Sequence, residues 1–97
     1  MELLPTRAYH ITVEGSVTET SPLNGKIFKL EEVQSKVEGY IEIVYLNDKQ
    51  IMIVNEDGKF GKEYNPIATA IAQLNGALSS RDYICGNVVL CPSEMLP

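Results

Sequence analysis

Apolar residues come in short runs along much of the chain, and these runs predict strands. Five of them are rich in β-branched and aromatic side chains, as strands are: Ala8–Val13, Ser16–Thr20, Tyr40–Leu46, Gln50–Asn55 and Asp82–Cys91. Glu14-Gly15 is a tight-turn signal between the first two runs, and Asn47–Lys49 reverses the chain between the next two. The pattern therefore indicates two antiparallel hairpins and one late strand.

A different spacing, with apolar residues three or four apart, predicts two helices. The first carries Phe28, Leu30, Val33 and Val37, and Gly39 is expected to end it after about two turns. Lys29 stands where a Ser, Thr or Asp cap is usual, so this helix lacks an ordinary start signal.

The second helix has stronger boundaries. Asn65-Pro66 is a good entry, because Asn caps a helix and Pro fits its first position. Asn75-Gly76 is expected to end it. The apolar stripe predicted to face the core consists of Ile67, Ala70, Ile71 and Leu74.

The predicted order is β-β-α-β-β-α-β, which indicates an α+β fold: a mixed, mainly antiparallel sheet of about five strands with two helices packed on it. The hairpin of Tyr40–Leu46 and Gln50–Asn55 is apolar at nearly every position. It is therefore predicted to lie centrally with both faces covered, and Tyr40 and Tyr45 are expected to pack in the core or across strands.

Length and charge limit the classes of protein to consider. The 97 residues are expected to form a single domain over 1–97. No apolar run approaches the roughly 20 residues that cross a bilayer, and the first residues lack a signal peptide's basic and apolar regions. We therefore expect no membrane association and a cytoplasmic location. A net charge of −5 argues against general nucleic-acid binding.

The sequence offers little catalytic or metal-binding chemistry. Cys85 and Cys91 would be about 20 Å apart on a strand, beyond the roughly 7 Å that a disulfide spans, so buried reduced thiols are predicted. His10 is the one histidine and has no Cys or Ser nucleophile near it in the sequence. We expect no enzymatic activity, no cofactor and no metal site.

Four segments taken in order resemble a known family. They are LEEVQSKVEGYIEIVYL, IMIVNEDGK, NPIAT and ICGNVVLC. Together they are similar to small proteins of phages and conjugative elements that are catalogued as a domain of unknown function (DUF3846). The resemblance covers about Pro22 to Cys91. It supplies no catalytic residues, and it implies a mobile genetic element in a bacterial cell as the setting.

The segment from Asn55 to Asn65 is open to three interpretations, one of which is a protein-binding surface. It is a good turn, in which Gly58 can adopt positive φ and the charged side chains are solvated. It is also a candidate anion site, because a helix N-terminus with free amides follows two glycines, two lysines and two aromatic rings. The predicted ligand-binding residues are Asn55, Glu56, Gly58, Lys59, Phe60, Lys62, Tyr64 and Asn65.

Two functions follow from these features. The first is a non-enzymatic anti-defence protein that sequesters a small nucleotide-type signal at the Asn55–Asn65 segment. The alternative is a module that inhibits a host protein through an acidic face, formed by Glu31, Glu32, Glu38 and Glu42. Glu42 is also a candidate pocket carboxylate, since it alternates with Ile41 and Ile43. A homo-oligomer is expected in either case, because the outer strands of the sheet need covering.

Overall fold

A computed structural model describes residues 2–96 and shows one antiparallel sheet with a helix on each face. The strands are β1 (Ala8–Ile11), β2 (Val17–Thr20), β3 (Ile41–Tyr45), β4 (Gln50–Asn55) and β5 (Val88–Pro92). The helices are α1 (Leu30–Val37) and α2 (Pro66–Leu74), and single 3₁₀ turns span Gly58–Phe60 and Ser93–Met95.

The strands lie in the order β2-β1-β5-β4-β3, and each neighbouring pair is antiparallel. The last strand therefore enters between the two hairpins and joins them into one sheet. The predicted α+β fold and its β-β-α-β-β-α-β order are confirmed.

The predicted central position of the second hairpin is correct for β4 and wrong for β3. β5 pairs with β4 on the side away from β3, which leaves β3 at the edge. Tyr40 directly precedes β3 and Tyr45 is its last residue. They are 71% and 73% exposed, so neither is a core residue. The apolar character of β3 instead arises because Ile41 and Ile43 pack toward α1 while Val44 packs toward α2.

Glu32 supplies the start signal that the sequence of α1 lacks. Its Oε2 accepts a hydrogen bond from the backbone N–H of Lys29 at 2.7 Å, and its Oε1 accepts one from Leu23 at 2.8 Å. The helix ends at Val37, and the left-handed position after it is occupied by Glu38, at φ 63°, rather than by Gly39. Glu32 therefore has a structural role and is not merely a solvated side chain.

The hydrogen bonds from the backbone N–H groups of Leu23 and Lys29 hold the pKa of the Glu32 carboxyl below its ordinary value of 4.5. A carboxylate with a lowered pKa in the folded state contributes stability above 4.5, and that contribution is lost as the pH falls through the folded-state pKa. We expect Glu32→Gln to lower the free energy of unfolding at pH 7, with a difference from wild type that shrinks toward pH 3. Urea denaturation at both pH values measures this.

Glu31→Gln is the matched control, because Glu31 is the exposed neighbour and makes no side-chain hydrogen bond among residues 2–96. It should change stability little at either pH. A Glu32→Gln effect of equal size at pH 7 and pH 3 would contradict the charge-assisted cap.

The buried face of α2 includes part of the predicted stripe, because Ile67 and Ile71 are partly buried and pack against the core. Ala68, Thr69 and Ala72 are buried, whereas Ala70 is exposed and Leu74 is 86% exposed. Thr69 is buried because its hydroxyl accepts from Ile84 N at 2.9 Å and lies 3.4 Å from Ile84 O. The hydrogen-bonded hydroxyl allows this polar residue to be buried at a position that the apolar pattern does not mark.

Both cysteines are free and buried, as predicted. Burial raises the pKa of the Cys91 thiol to about 12, so it stays protonated near neutral pH and is a poor nucleophile. No helix within residues 2–96 has the length and apolar character needed to cross a membrane.

Candidate functional site

The turn after β4 is held against the loop that precedes β5. Tyr64 and Cys85 form an isolated antiparallel bridge, and Asn65 N donates to Ile84 O at 2.9 Å. Gly58 is buried without a positive φ; a Cβ there would overlap the carbonyl oxygen of Cys85. The expected backbone role of Gly58 is therefore wrong, and its missing side chain instead allows this close approach.

Asn55 links β4 to the end of α1. Its Nδ2 donates to the carbonyls of Val37 and Glu38 at 3.0 and 3.2 Å, and its Oδ1 accepts from Asp57 N at 2.8 Å. These bonds satisfy terminal carbonyls of the helix. The side chain thus has a structural function even though the residue borders the candidate cavity described below.

Asn65 is completely buried and serves the fold. Its Oδ1 accepts from Ala68 N at 3.0 Å, which confirms it as the cap of α2. Its Nδ2 donates to Ile11 O and Gly86 O at 3.1 and 2.9 Å. Asn65 is therefore not accessible to a ligand. The Ala68 N–H, bonded to the Asn65 side chain, is not free to bind an anion at the N-terminus of α2.

An open cavity of about 180 Å³ lies beside β3, and we call it the β3 cavity. Part of its wall is apolar and includes Val44, Val54, Leu78 and Ile84. Charged and aromatic side chains also line it: Glu42, Glu56, Lys59, Phe60, Asp82 and Tyr83. The alternation that suggested Glu42 as a pocket carboxylate agrees with its position here.

The cavity carries a net negative charge. Lys59 Nζ forms an ion pair with Asp82 Oδ1 and lies 4.7 Å from the centre of the Tyr83 ring. The hydrogen bond from Lys59 lowers the pKa of Asp82, and the bond to Asp82 raises the pKa of Lys59. Glu42 and Glu56 have no ion-pair partner within the part of the chain that is described. They account for the acidity.

The remaining predicted site residues lie elsewhere. Lys62 Nζ is 3.4 Å from Glu38 Oε1, and these two side chains line a different surface depression. Tyr64 is half-exposed and makes an edge-to-face contact with Tyr83 at 6.3 Å between ring centres. The two lysines do not converge on one ligand position.

The structure thus groups five of the predicted residues around the β3 cavity: Asn55, Glu56, Gly58, Lys59 and Phe60. Sequence reasoning missed Asp82 and Tyr83, which sit more than twenty positions away in the chain. The backbone pairing of the two loops brings them in, and no local periodicity signals such a contact.

The four carboxylates proposed as one acidic face are not together. α1 packs on the sheet face with Ile41 and Ile43, whereas Glu42 points to the opposite face with Val44. Glu31 and Glu32 therefore lie on the other side of the sheet from Glu42, and Glu38 is paired with Lys62. The acidic surface of the β3 cavity is instead formed around Glu42 and Glu56.

His10 has a structural contact as well. Its Nε2 lies 3.0 Å from the carbonyl oxygen of Lys36. In the described part of the chain, no three His, Cys, Asp or Glu side chains are grouped so that they could hold a metal ion.

The sequence profile of a family described as Domain of unknown function (DUF3846) matches residues 6–95, nearly the whole chain. No curated protein and no solved structure matches the chain. The match agrees with the resemblance found in the four sequence segments, and it assigns no reaction or ligand to the β3 cavity.

Proposed function

This chain belongs to the family described as Domain of unknown function (DUF3846), and on that premise we propose that it is a non-enzymatic binding protein that docks a basic protein partner at the β3 cavity. The observation that carries the proposal is the presence of two carboxylates, Glu42 and Glu56, without ion-pair partners in residues 2–96, while Lys59 is neutralised by Asp82. Such a site attracts a cation.

The size of the cavity supports a side chain rather than a whole small molecule as its occupant. Its volume of about 180 Å³ falls below the roughly 300 Å³ at which drug-sized ligand sites begin. A lysine or arginine side chain can lay its aliphatic stem along Val44 and Val54 while its charge meets the carboxylates. The family resemblance implies a mobile genetic element as the setting, and on that basis we propose a host defence protein as the partner.

The charge of the cavity can be tested with a fluorescent lysine-rich peptide. We expect the double variant Glu42→Gln plus Glu56→Gln to weaken binding about tenfold at low salt, as two exposed ion pairs together allow. Fluorescence anisotropy measures the affinity, which should also fall as salt screens the charges.

The control is the double variant Glu31→Gln plus Glu94→Gln, which also removes two negative charges. Both residues are exposed, have no ion-pair partner in residues 2–96 and lie outside the β3 cavity. If it weakens binding as much as the loss of Glu42 and Glu56, the peptide responds only to overall charge. An unchanged affinity in the double variant would also contradict a specific acidic site.

Sequestration of a small nucleotide-type signal is a second candidate function. The aromatic rings around Lys59 favour it, because Phe60 is 88% exposed and Tyr64 and Tyr83 are partly exposed, so all three are open to base stacking. Native mass spectrometry with a nucleotide panel separates the two proposals. A bound nucleotide that is lost in Lys59→Glu supports this candidate, and no uptake across the panel rejects it.

A further inference from the structure

The outer edge of β3 has a definite hydrogen-bonding pattern. Glu56 N donates to Tyr40 O at 2.9 Å, and Leu46 N donates to Gln50 O at 3.1 Å. In an antiparallel pair the hydrogen-bonded positions alternate, so the even-numbered residues between these two bonds face β4. The N–H and C=O groups of Ile41, Ile43 and Tyr45 therefore point away from the sheet.

Within residues 2–96 these three outward positions have no hydrogen-bond partner. Unpaired edges are usually protected by charged side chains, bulges or a covering element. At the opposite edge, β2 exposes Thr18 and Glu19, and Glu19 is ion-paired with Arg7. β3 offers a longer row of donors and acceptors, with Glu42 as its one charged side chain.

We propose that β3 accepts an extended, basic segment of a partner protein as a sixth strand of the sheet. This inference rests on the proposed docking function and specifies how the partner binds. Main-chain hydrogen bonds to Ile41, Ile43 and Tyr45 supply affinity, and a side-chain site supplies selectivity, as in other cases of strand addition.

The register follows from the pattern of the edge. We take the added strand to run antiparallel to β3, as each neighbouring pair in this sheet does. A partner residue opposite Glu42 then occupies a non-hydrogen-bonded pair, in which the two side chains are closest. Its side chain points to the same face as Glu42, which is the face of the β3 cavity. A lysine or arginine at this position therefore reaches the cavity, while its own N–H points away from β3.

Charge distinguishes this occupant from a second copy of the chain. A second copy would bring its own Glu42 and Glu56 to the same edge, and each chain carries a net charge of −5. Like charges placed opposite one another destabilise strand pairing. A basic segment instead neutralises the two carboxylates.

The test uses a labelled peptide of about eight residues in which lysine alternates with valine. With lysine opposite Glu42, the valine amides face β3. We expect N-methylation of the valine amides to abolish binding and N-methylation of the lysine amides to leave it nearly unchanged. Anisotropy titration against the intact chain gives both affinities.

Tyr45→Pro and Tyr45→Ala form the matched protein pair. Both remove an exposed ring, but only proline removes the outward N–H, and edge strands tolerate proline where the N–H faces solvent. Tyr45→Pro should weaken peptide binding about tenfold more than Tyr45→Ala, which corresponds to one hydrogen bond. Circular dichroism checks that both variants are folded. If Tyr45→Pro is unfolded, the comparison of the two methylated peptides still decides the question.

The outcomes separate this inference from the proposed function. Equal affinities for the two methylated peptides overturn strand addition, even if Glu42→Gln plus Glu56→Gln still weakens binding. Loss of sensitivity to those carboxylates overturns the docking function itself. If sedimentation shows a wild-type dimer that Tyr45→Pro converts to a monomer, a second copy occupies the edge and the inference is wrong.

Discussion

Asn65→Ala is expected to reduce the free energy of unfolding by about 3 kcal/mol, since it removes a helix cap and leaves buried polar groups unpaired. The substitution deletes the acceptor for Ala68 N and the donors to Ile11 O and Gly86 O. All of these groups lie in the interior, where water cannot replace the lost bonds. Urea denaturation of the variant and wild type gives the difference.

Asn75→Ala is the control for this prediction, because it alters the same residue type at the other end of α2. Asn75 is exposed; its Nδ2 donates to Ile71 O at 2.9 Å and its Oδ1 accepts from Asn47 Nδ2 at 3.3 Å. Water can replace both bonds in the variant. A change of no more than about 0.5 kcal/mol is expected, as for most surface substitutions. If the two variants lose similar stability, the two long-range bonds of Asn65 contribute little.

The two roles of Asn65 illustrate what the sequence can reveal. The cap is local: Asn followed by Pro is sufficient to predict where α2 begins. The bonds to Ile11 and Gly86 join residues that are far apart in the chain, and no local pattern encodes them. The sequence therefore predicted the cap, which is confirmed, but not the two long-range bonds that hold the side chain in the interior.

In the sheet, too, local features were predictable from the sequence and long-range pairing was not. Short apolar runs predicted the place of every strand and both hairpins, because each hairpin is determined by neighbouring residues. The last strand, however, begins at Val88 and not at the predicted Asp82. Which strand lies at the edge depends on where β5 inserts, and that choice involves pairing between distant segments. The apolar composition of β3 favoured a central position only because both of its faces are partly covered, one from α1 and one beside α2.

Five of the eight predicted site residues line the β3 cavity, and their role in binding stays a prediction. Lys59 and Lys62 are close in the sequence, yet Lys59 pairs with Asp82 and Lys62 pairs with Glu38. The two ion pairs line different surface depressions. Their partners come from other segments, so spacing alone could not separate two ammonium groups aimed at one anion from two surface ion pairs. The acidic character of the β3 cavity becomes visible only once these pairs are known.

Gly58→Ala is the second substitution with a large expected effect, a loss of about 3 kcal/mol in the free energy of unfolding, as overpacking of a close contact costs. The added Cβ would overlap the carbonyl oxygen of Cys85 and lie 3.2 Å from its carbonyl carbon. Neither is the flexible end of a side chain, so the backbone of one loop must move. Thermal and urea denaturation measure the loss.

Gly61→Ala separates this steric effect from a general preference for glycine in the turn. Gly61 has an extended φ of 178°, and a Cβ there would meet no atom within 4 Å, so we expect stability within about 0.5 kcal/mol of wild type. Gly58→Ala should also affect peptide binding, because the Cys85 backbone that its Cβ displaces lines the β3 cavity. We expect weaker binding of the lysine-valine peptide under conditions in which Gly58→Ala is still folded. Unchanged stability in Gly58→Ala would contradict a close contact between the two loops. It would also contradict the role of that contact in fixing the cavity wall at Cys85.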